Sequence, residues 1–550
     1  MDGNPFKVIL LSFIVIFVIL LQAFSGVIAV SSKGTEATVY KQNGEFVIKL
    51  GVLDKEGLAY GVYNDTFQTT GWGVLNVKAG YSSKKYLEND VALAAGFLEG
   101  YLTSREIFQH TVNINATFFK GNSEFPIILK KFFQKQDAWT RSMIKAHEET
   151  DPYWRGISLI LSQYDGLVKG YNANPYQNKS LEAFNFQILN GCGDIIDLKH
   201  ALMPETFVDW KHMTKSQLTK FIAENGHCSA LIKVLPALEN FFMSHSSWFT
   251  YQSTLRIYKH YDINVSGLAS TKMSFSSYPG FLESLDDFYH MSSGLTMLQT
   301  TNNVFNQSLY SAVVPESLLA WQRVRLANHL AYNGHTWGVI LEKYNSGTYN
   351  NQYMVLDRSK LKPNKAILDN ALWVVEQIPT LVVYKDETNV LRAGYWPSYN
   401  VPFFEEIYNM SGYPDVVAKH GPDMSYQLAP RAKIFRRDQG SVKDMDTMKT
   451  IMRYNEYTTD PYSEGDPVNA ICARGDLRQE GASASGCYDT KVSDLAMADK
   501  MQSYAINGPT RFEGSLPPFS WTGQFANYSH VGLPDVYKFD FVTMQPMDLP

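Results

Sequence analysis

Apolar and polar residues change their spacing several times along the chain. Over residues 37–81, Val, Tyr, Thr and Gly dominate and turn pairs such as Asn64-Asp65 intervene. That texture predicts strands and hairpins. Near Asp90 a helical spacing takes over, and residues 91–110, 126–148 and 156–170 predict helices. Residues 171–180 are polar and predict a loop. Residues 215–224 predict a short helix, which Asn225-Gly226-His227 ends. After Cys228 the period shortens. Residues 228–235 form an apolar run, and 248–261 alternate aromatic, polar and β-branched side chains. Residues 274–289 and 294–305 predict further strands. An amphipathic helix follows over 315–333, and strands return at 353–356, 371–375 and 380–384. No internal repeat appears. This mixed order predicts an α+β fold of stacked layers rather than alternating βαβ units.

The start of the chain has a different character. Residues 8–21 carry no charge and match the core of a signal peptide in length, short of a full membrane span. Val27-Ile28-Ala29 fits a signal-peptidase site, so residues 1–29 are expected to be removed. Asp2 offsets Lys7, and apolar residues continue to Val30, which leaves an uncleaved anchor as the other reading. No later segment has eighteen uncharged apolar residues. Seven Asn-x-Ser/Thr triplets follow, at Asn64, Asn115, Asn178, Asn264, Asn306, Asn409 and Asn527. Behind a signal peptide they point to a glycosylated protein that is secreted or lysosomal.

Composition narrows the class. Of 550 residues, 45% are apolar and 19% charged, which excludes a disordered or fibrous chain. Net charge is −5, and the basic runs stop at doublets such as Lys84-Lys85 and Arg436-Arg437. Without a basic stripe, no nucleic-acid partner is expected. Only four cysteines are present: Cys192, Cys228, Cys472 and Cys487. Three pairings are possible. Cys472 and Cys487 enclose a short loop rich in Gly, Ala and Ser and are the expected disulfide. Cys192 and Cys228 are then a second disulfide or two thiols.

Several active-site patterns are absent. The sequence has no phosphate-binding Gly-x-x-x-x-Gly-Lys-Ser/Thr loop, no Gly-x-Ser-x-Gly elbow and no His-Glu-x-x-His. Gly191-Cys-Gly193 lacks the third glycine of a dinucleotide site. The histidines show no zinc-ligand spacing, so neither metal nor cofactor is expected. Arg474-Gly475-Asp476 spells an integrin tripeptide and reads as an incidental turn. The informative run is Asn225-Gly-His-Cys228-Ser-Ala-Leu-Ile-Lys-Val-Leu-Pro236. A turn delivers a cysteine to the start of an apolar strand. His245 stands seventeen residues on. A hairpin between this strand and the Trp248 strand would return His245 to the cysteine. The residues alone leave Cys228 either a nucleophile or a packed thiol.

The chain resembles the phospholipase B-like (laminin-ancestor) family of N-terminal nucleophile hydrolases. The likeness rests on Thr70-Gly71-Trp72, the Cys228 run, residues 244–261, Ser276-Ser-Tyr-Pro-Gly280, Leu285-Asp-Asp-Phe-Tyr289, Asn345-Ser-Gly-Thr-Tyr-Asn-Asn-Gln352, residues 429–438 and Met452-Arg-Tyr-Asn455. It implies a four-layer αββα sandwich and a proenzyme that cuts itself between His227 and Cys228. Residues 30–227 and 228–550 would remain associated in one αββα unit. Cys228 would then be the nucleophile of an acyl hydrolase, its freed α-amine taking the thiol proton. The implied substrate is a phospholipid or other acyl compound, with a membrane surface only as its source. Amidase activity on N-acyl lipids or peptides, and a non-enzymatic glycoprotein of the same fold, stay open. His245 would orient the nucleophile or move protons, or be structural. Asn351 would donate to the oxyanion or cap a turn. Arg453 would neutralise a carboxylate or phosphate, or form a structural ion pair. Asp286 and Asp287, adjacent in an expected strand, would face opposite sides. Cys192 reads as a non-catalytic thiol.

Overall fold

The computed structural model describes residues 34–225 and 228–550. The expected signal peptide and His227 lie outside them. Two large sheets organise the chain. The larger has eleven strands, and its order runs from Leu381–Asp386 at one edge to Glu45–Leu50 at the other. Its pairs are antiparallel except at the centre, where Trp72–Ala79 runs parallel to Arg256–Ile263 over eight residue pairs. The smaller has six strands, in the order Tyr395–Ser398, Ser229–Val234, Phe241–Ser246, Asp489–Asp494, Ser503–Asn507 and Val542–Met544. The fold is therefore α+β, and Thr35–Pro550 forms one compact unit.

Strand periodicity shows where each face goes. In Asn351–Asp357, Tyr353 and Val355 enter one core while Met354 and Leu356 enter another. The first core joins the large sheet to the helices Glu88–Leu102 and Ala320–Leu330, through Val91, Leu98 and Val324 among others. The second joins the large sheet's other face to the small sheet, where Met354 and Val374 share a cluster with Ala230, Ile232 and Met243. Leu231 and Phe242 point the opposite way, into a third core with Ile434, Phe435 and Met448. Alternate residues of a strand must face opposite sides. Here both sides are dry, which is why these strands read as unbroken apolar runs.

Several sequence-derived elements change shape. Residues 91–110 are two helices, Glu88–Leu102 and Ser104–Phe119, broken at Thr103. The polar segment 171–180 still carries the last turn of Pro152–Ala173. Two further helices, Ala183–Asn190 and Cys192–Leu202, have no counterpart in the sequence-derived elements. Residues 248–261 are not one strand. Trp248–Thr250 pairs with Ser485–Cys487 in a small ribbon, and Arg256–Ile263 joins the large sheet. Residues 274–289 likewise split into Lys272–Ser277 and Phe288–Met291 around a loop. Among the described residues, no helix is long and apolar enough to cross a membrane.

Helices Glu88–Leu102 and Pro152–Ala173 touch backbone to backbone, and glycine permits it. A Cβ on Gly166 would lie 1.9 Å from the Leu93 carbonyl oxygen, and one on Gly96 the same distance from that of Gln163. Neither obstacle is a flexible side-chain tip. Gly166→Ala should therefore destabilise the protein by about 1–3 kcal/mol. Thermal unfolding of the variant checks this, and an unchanged midpoint would show that the helices can part at no cost.

Candidate active site

The turn before Ser229–Val234 places Cys228 in a cavity of about 280 Å³. Its walls include Cys192, Trp248, Tyr278, Tyr349 and Tyr488. Cys228 is 1% exposed, and both Cys192 and Cys228 are free thiols. Burial pushes the Cys228 thiol well above its usual range, against a hydrogen bond from the Trp248 backbone. The Cys228 backbone has φ +87°, a left-handed conformation that side chains rarely adopt. Such a conformation costs on the order of 1–3 kcal/mol and persists only where the surroundings impose it. Arg431 is one such surrounding group. Its Nη1 donates to the Cys228 carbonyl at 2.8 Å and to Ser229 Oγ at 3.1 Å, and Nη2 donates to Asn400 Oδ1 at 2.6 Å. The guanidinium also lies 4.2 Å from the centre of the Trp248 ring. Burial lowers its pKa to about 9.

A hairpin does bring His245 back, but on Phe241–Ser246 rather than on the Trp248 strand. Its register opposes Ala230 to His245. Both ring nitrogens are engaged. Nε2 lies 2.7 Å from the Gln299 carbonyl, and Nδ1 lies 3.1 Å from Lys491 Nζ. With Lys491 donating to Nδ1, the ring is neutral and carries its proton on Nε2. Burial, then Lys491, hold its pKa near 3.

Lys491 belongs to a buried cluster that the sequence does not reveal. It donates to Asp286 at 2.7 Å and to Asp489 at 2.8 Å. Arg256 grips Asp286 with two bonds of 3.0 Å and approaches Asp489 at 3.1 Å. None of the four side chains is more than 2% exposed. Arg256 comes from the large sheet and Asp489 and Lys491 from the small one. Asp286 and its neighbour Asp287 lie in the loop ahead of Phe288–Met291, not in a strand. Their environments diverge. Burial alone would raise Asp286, but Arg256 and Lys491 hold it far below the usual carboxylate range. Asp287 has no partner for either oxygen among the described residues, and burial pushes it well up.

The remaining sequence-predicted residues are more dispersed. Asn351 opens its strand opposite Thr301. Its Oδ1 accepts from Gln299 and its Nδ2 donates to Tyr353 Oη at 2.9 Å, and it does not line the Cys228 cavity. Arg453 follows the helix Met445–Met452 and donates to the Gly508 carbonyl at 2.9 Å. It forms no ion pair among the described residues, and burial lowers its pKa to about 9. Cys472 and Cys487 form the expected disulfide. Cys487 sits opposite Trp248 in the ribbon, so the bridge buttresses the wall of the cavity. Arg474 and Asp476 are paired with each other through buried side chains, so neither charge of the tripeptide is presented at the surface. Asn178, Asn264, Asn409 and Asn527 are exposed; Asn64, Asn115 and Asn306 are half-buried.

Beyond Trp248 the site opens into an apolar cleft holding about 730 Å³ of empty space. Ile222, Phe305, Val401 and Met424 line it, and Arg431 and Asn400 stand in its wall. Neither polar residue is a candidate on sequence grounds. Arg431 lies in the 429–438 stretch with no mark of its role, and Asn400 lies in none of the family-like stretches.

Residues 59–544 match the profile of the family described as Phospholipase B. Phospholipase B-like 1 of Rattus norvegicus is 54% identical over 504 residues, covering 90% of this chain and 89% of its own. Phospholipase-B 81 of Drysdalia coronoides is 52% identical over 518 residues, 93% of each chain. Phospholipase B-like protein B of Dictyostelium discoideum is 36% identical over 523 residues, 93% of this chain and 88% of its own. The chain belongs to the phospholipase B family, and by that membership it is a hydrolase.

The ion cluster generates a stability prediction. Lys491→Met would leave two buried carboxylates to share one arginine. Breaking a buried pair in this way typically costs about 3–5 kcal/mol. Denaturant unfolding of the variant should show a loss of that size, whereas a loss below about 1 kcal/mol would mean that water reaches the cluster.

Proposed function

We propose that this hydrolase is a self-processing phospholipase B with Cys228 as its nucleophile. The observation that carries the reading is Cys228 itself: a strained, buried thiol beside an apolar cleft and gripped by Arg431. In the first reaction Cys228 Sγ attacks the carbonyl carbon of His227. The C–N bond breaks, a thioester forms, and the α-amine of Cys228 is freed. Water then hydrolyses the thioester, leaving His227 with a carboxylate. Relief of the left-handed backbone favours this direction.

In the second reaction the new α-amine takes the thiol proton; its unperturbed pKa of about 7.7–8.0 suits that task. The thiolate attacks the acyl carbon of the lipid, the alcohol leaves, and water releases the fatty acid. A cleft of this size and lining suits a fatty-acyl chain. Arg431 and Asn400 are polar groups in its wall from which an oxyanion contact is available once the bond ahead of Cys228 is cut. Asn351 and Arg453 serve as outer supports, and His245 positions the strand and Lys491.

The sandwiched apolar cores support a four-layer αββα arrangement for both fragments together. A secreted or lysosomal destination follows from residues 1–29, and the exposed sequons are proposed as glycosylation sites.

Purified wild type should separate under denaturing, reducing conditions into fragments of roughly 30–227 and 228–550, with Cys at the new N-terminus. Under native conditions the two should travel together. Cys228→Ala should give one uncut band and no hydrolysis. Uncut wild type with full activity would falsify self-processing. Activity should then be assayed on phospholipids, N-acyl amides and peptides, and cleavage of amides alone would replace the lipase with an amidase.

His245→Ala should fold, be cut at least partly and lose about 10²- to 10⁴-fold in hydrolysis, the usual range for a proton-handling or orienting group. The comparison uses fully processed samples. Equal rates would leave the imidazole with a purely structural task.

A further inference from the structure

A second chamber, of about 520 Å³, adjoins the Cys228 cavity and shares Gly193, Ile196 and Tyr349 with it. On the other side it meets a surface cleft of about 1120 Å³, with Phe207, Trp210 and Phe305 common to both. Phe305 also lines the apolar cleft. The chamber thus adjoins the Cys228 cavity, the apolar cleft and the surface cleft.

The lining of this chamber is unusual for a lipid-handling site. Among the described residues it contains no lysine and no arginine. Its one histidine among them, His200, is kept neutral by burial, which lowers its pKa to about 4. Its only carboxylate among the described residues is Asp197, which burial raises to a pKa of about 6 and which accepts from Tyr310 Oη at 2.5 Å and from the Asn350 backbone N–H and Nδ2 at 3.3 and 3.1 Å. Six aromatic rings surround it: Phe207, Trp210, Phe221, Phe305, Tyr310 and Tyr349. The rings brace one another, Trp210 against Phe305 at 6.1 Å and Phe207 against Tyr310 at 5.9 Å. In the same wall, Asn302 Oδ1 has no partner among the described residues, although this residue is 3% exposed. A buried polar atom of this kind is normally satisfied by water or by a ligand.

Charge decides what that is. A phosphate would find no cation here and one carboxylate against it. A weakly hydrated cation would find ring faces and a carboxylate, the combination that recognises quaternary ammonium groups. Lys211, in the outer cleft, already stands 5.5 Å from the centre of the Trp210 ring.

We propose that this chamber binds an alkylammonium group and selects choline head groups over anionic and polyol ones. The lipid part of this statement rests on the phospholipase reading; the ammonium site does not.

The test has two arms, both on processed full-length protein. In the first, tetramethylammonium chloride is titrated calorimetrically, with sodium chloride and inorganic phosphate as controls. Binding of tetramethylammonium alone is expected, weakened at least tenfold in Asp197→Asn. Because Asp197 is buried, Phe207→Ala, at a half-buried ring, provides a second variant with an expected several-fold loss. In the second arm, kcat/KM is compared on vesicles of phosphatidylcholine and phosphatidylglycerol. Preference for choline of at least tenfold is expected, falling toward one in both variants. Tetramethylammonium binding without hydrolysis of either lipid would remove the phospholipase reading and keep the site. Absence of tetramethylammonium binding to wild type, or binding unchanged in both folded variants, would overturn the proposal, as would equal turnover of the two lipids.

Discussion

The structure depends on four charges placed where water does not reach. Arg256, Asp286, Asp489 and Lys491 join the two sheets across their shared interior, and each is satisfied only by the others and by nearby polar groups. Taking such groups out of water is expensive, and only good geometry offsets the cost. That makes the cluster a poor source of stability but a strict judge of register. A slip of one residue in Asp489–Asp494 would turn Asp489 and Lys491 together to the other face and take both away from Arg256 and Asp286. His245 inherits its position from this constraint, because Lys491 lies directly opposite it on the next strand. Cys228 inherits its own from the strand on His245's other side, so the thiol's placement is set two strands away.

Elements with strong local signals are legible in the sequence. The hairpin start, the long helices 125–147 and 152–173, and the strand after Cys228 all carry their period in a dozen residues or fewer. The helices Ala183–Asn190 and Cys192–Leu202 are not legible, because their apolar residues spread around the axis instead of forming one stripe, and both are packed on more than one side. The split of 248–261 is invisible for another reason. Alternation continues smoothly across the turn at Tyr251–Ser253, and only pairing with Ser485–Cys487 marks the break.

The site is legible where chemistry is local and opaque where it is assembled. Cys228 announces itself by a turn, a thiol and an apolar strand. Arg431 reaches it from 203 positions away and is itself held by Asn400, and nothing in the neighbourhood of either residue says so. Two adjacent acidic residues in a strand would simply face apart. The loop that carries Asp286, with Leu285 and Asp287 both at positive φ, instead gives the two carboxylates opposite electrostatic fates.

The central parallel pair has a consequence for reversibility. Trp72–Ala79 precedes the bond ahead of Cys228 and Arg256–Ile263 follows it, yet they share one ladder in the middle of the large sheet. While the chain is whole, forming that ladder is an intramolecular step. If that bond is cut, as proposed, the same ladder can be remade only by two molecules meeting, each with an open sheet edge that invites wrong partners. The mature enzyme would fold once and have no easy way back. Its lifetime would then be set by the rate at which the sheet first opens and not by an equilibrium, which is a useful property where refolding assistance is scarce.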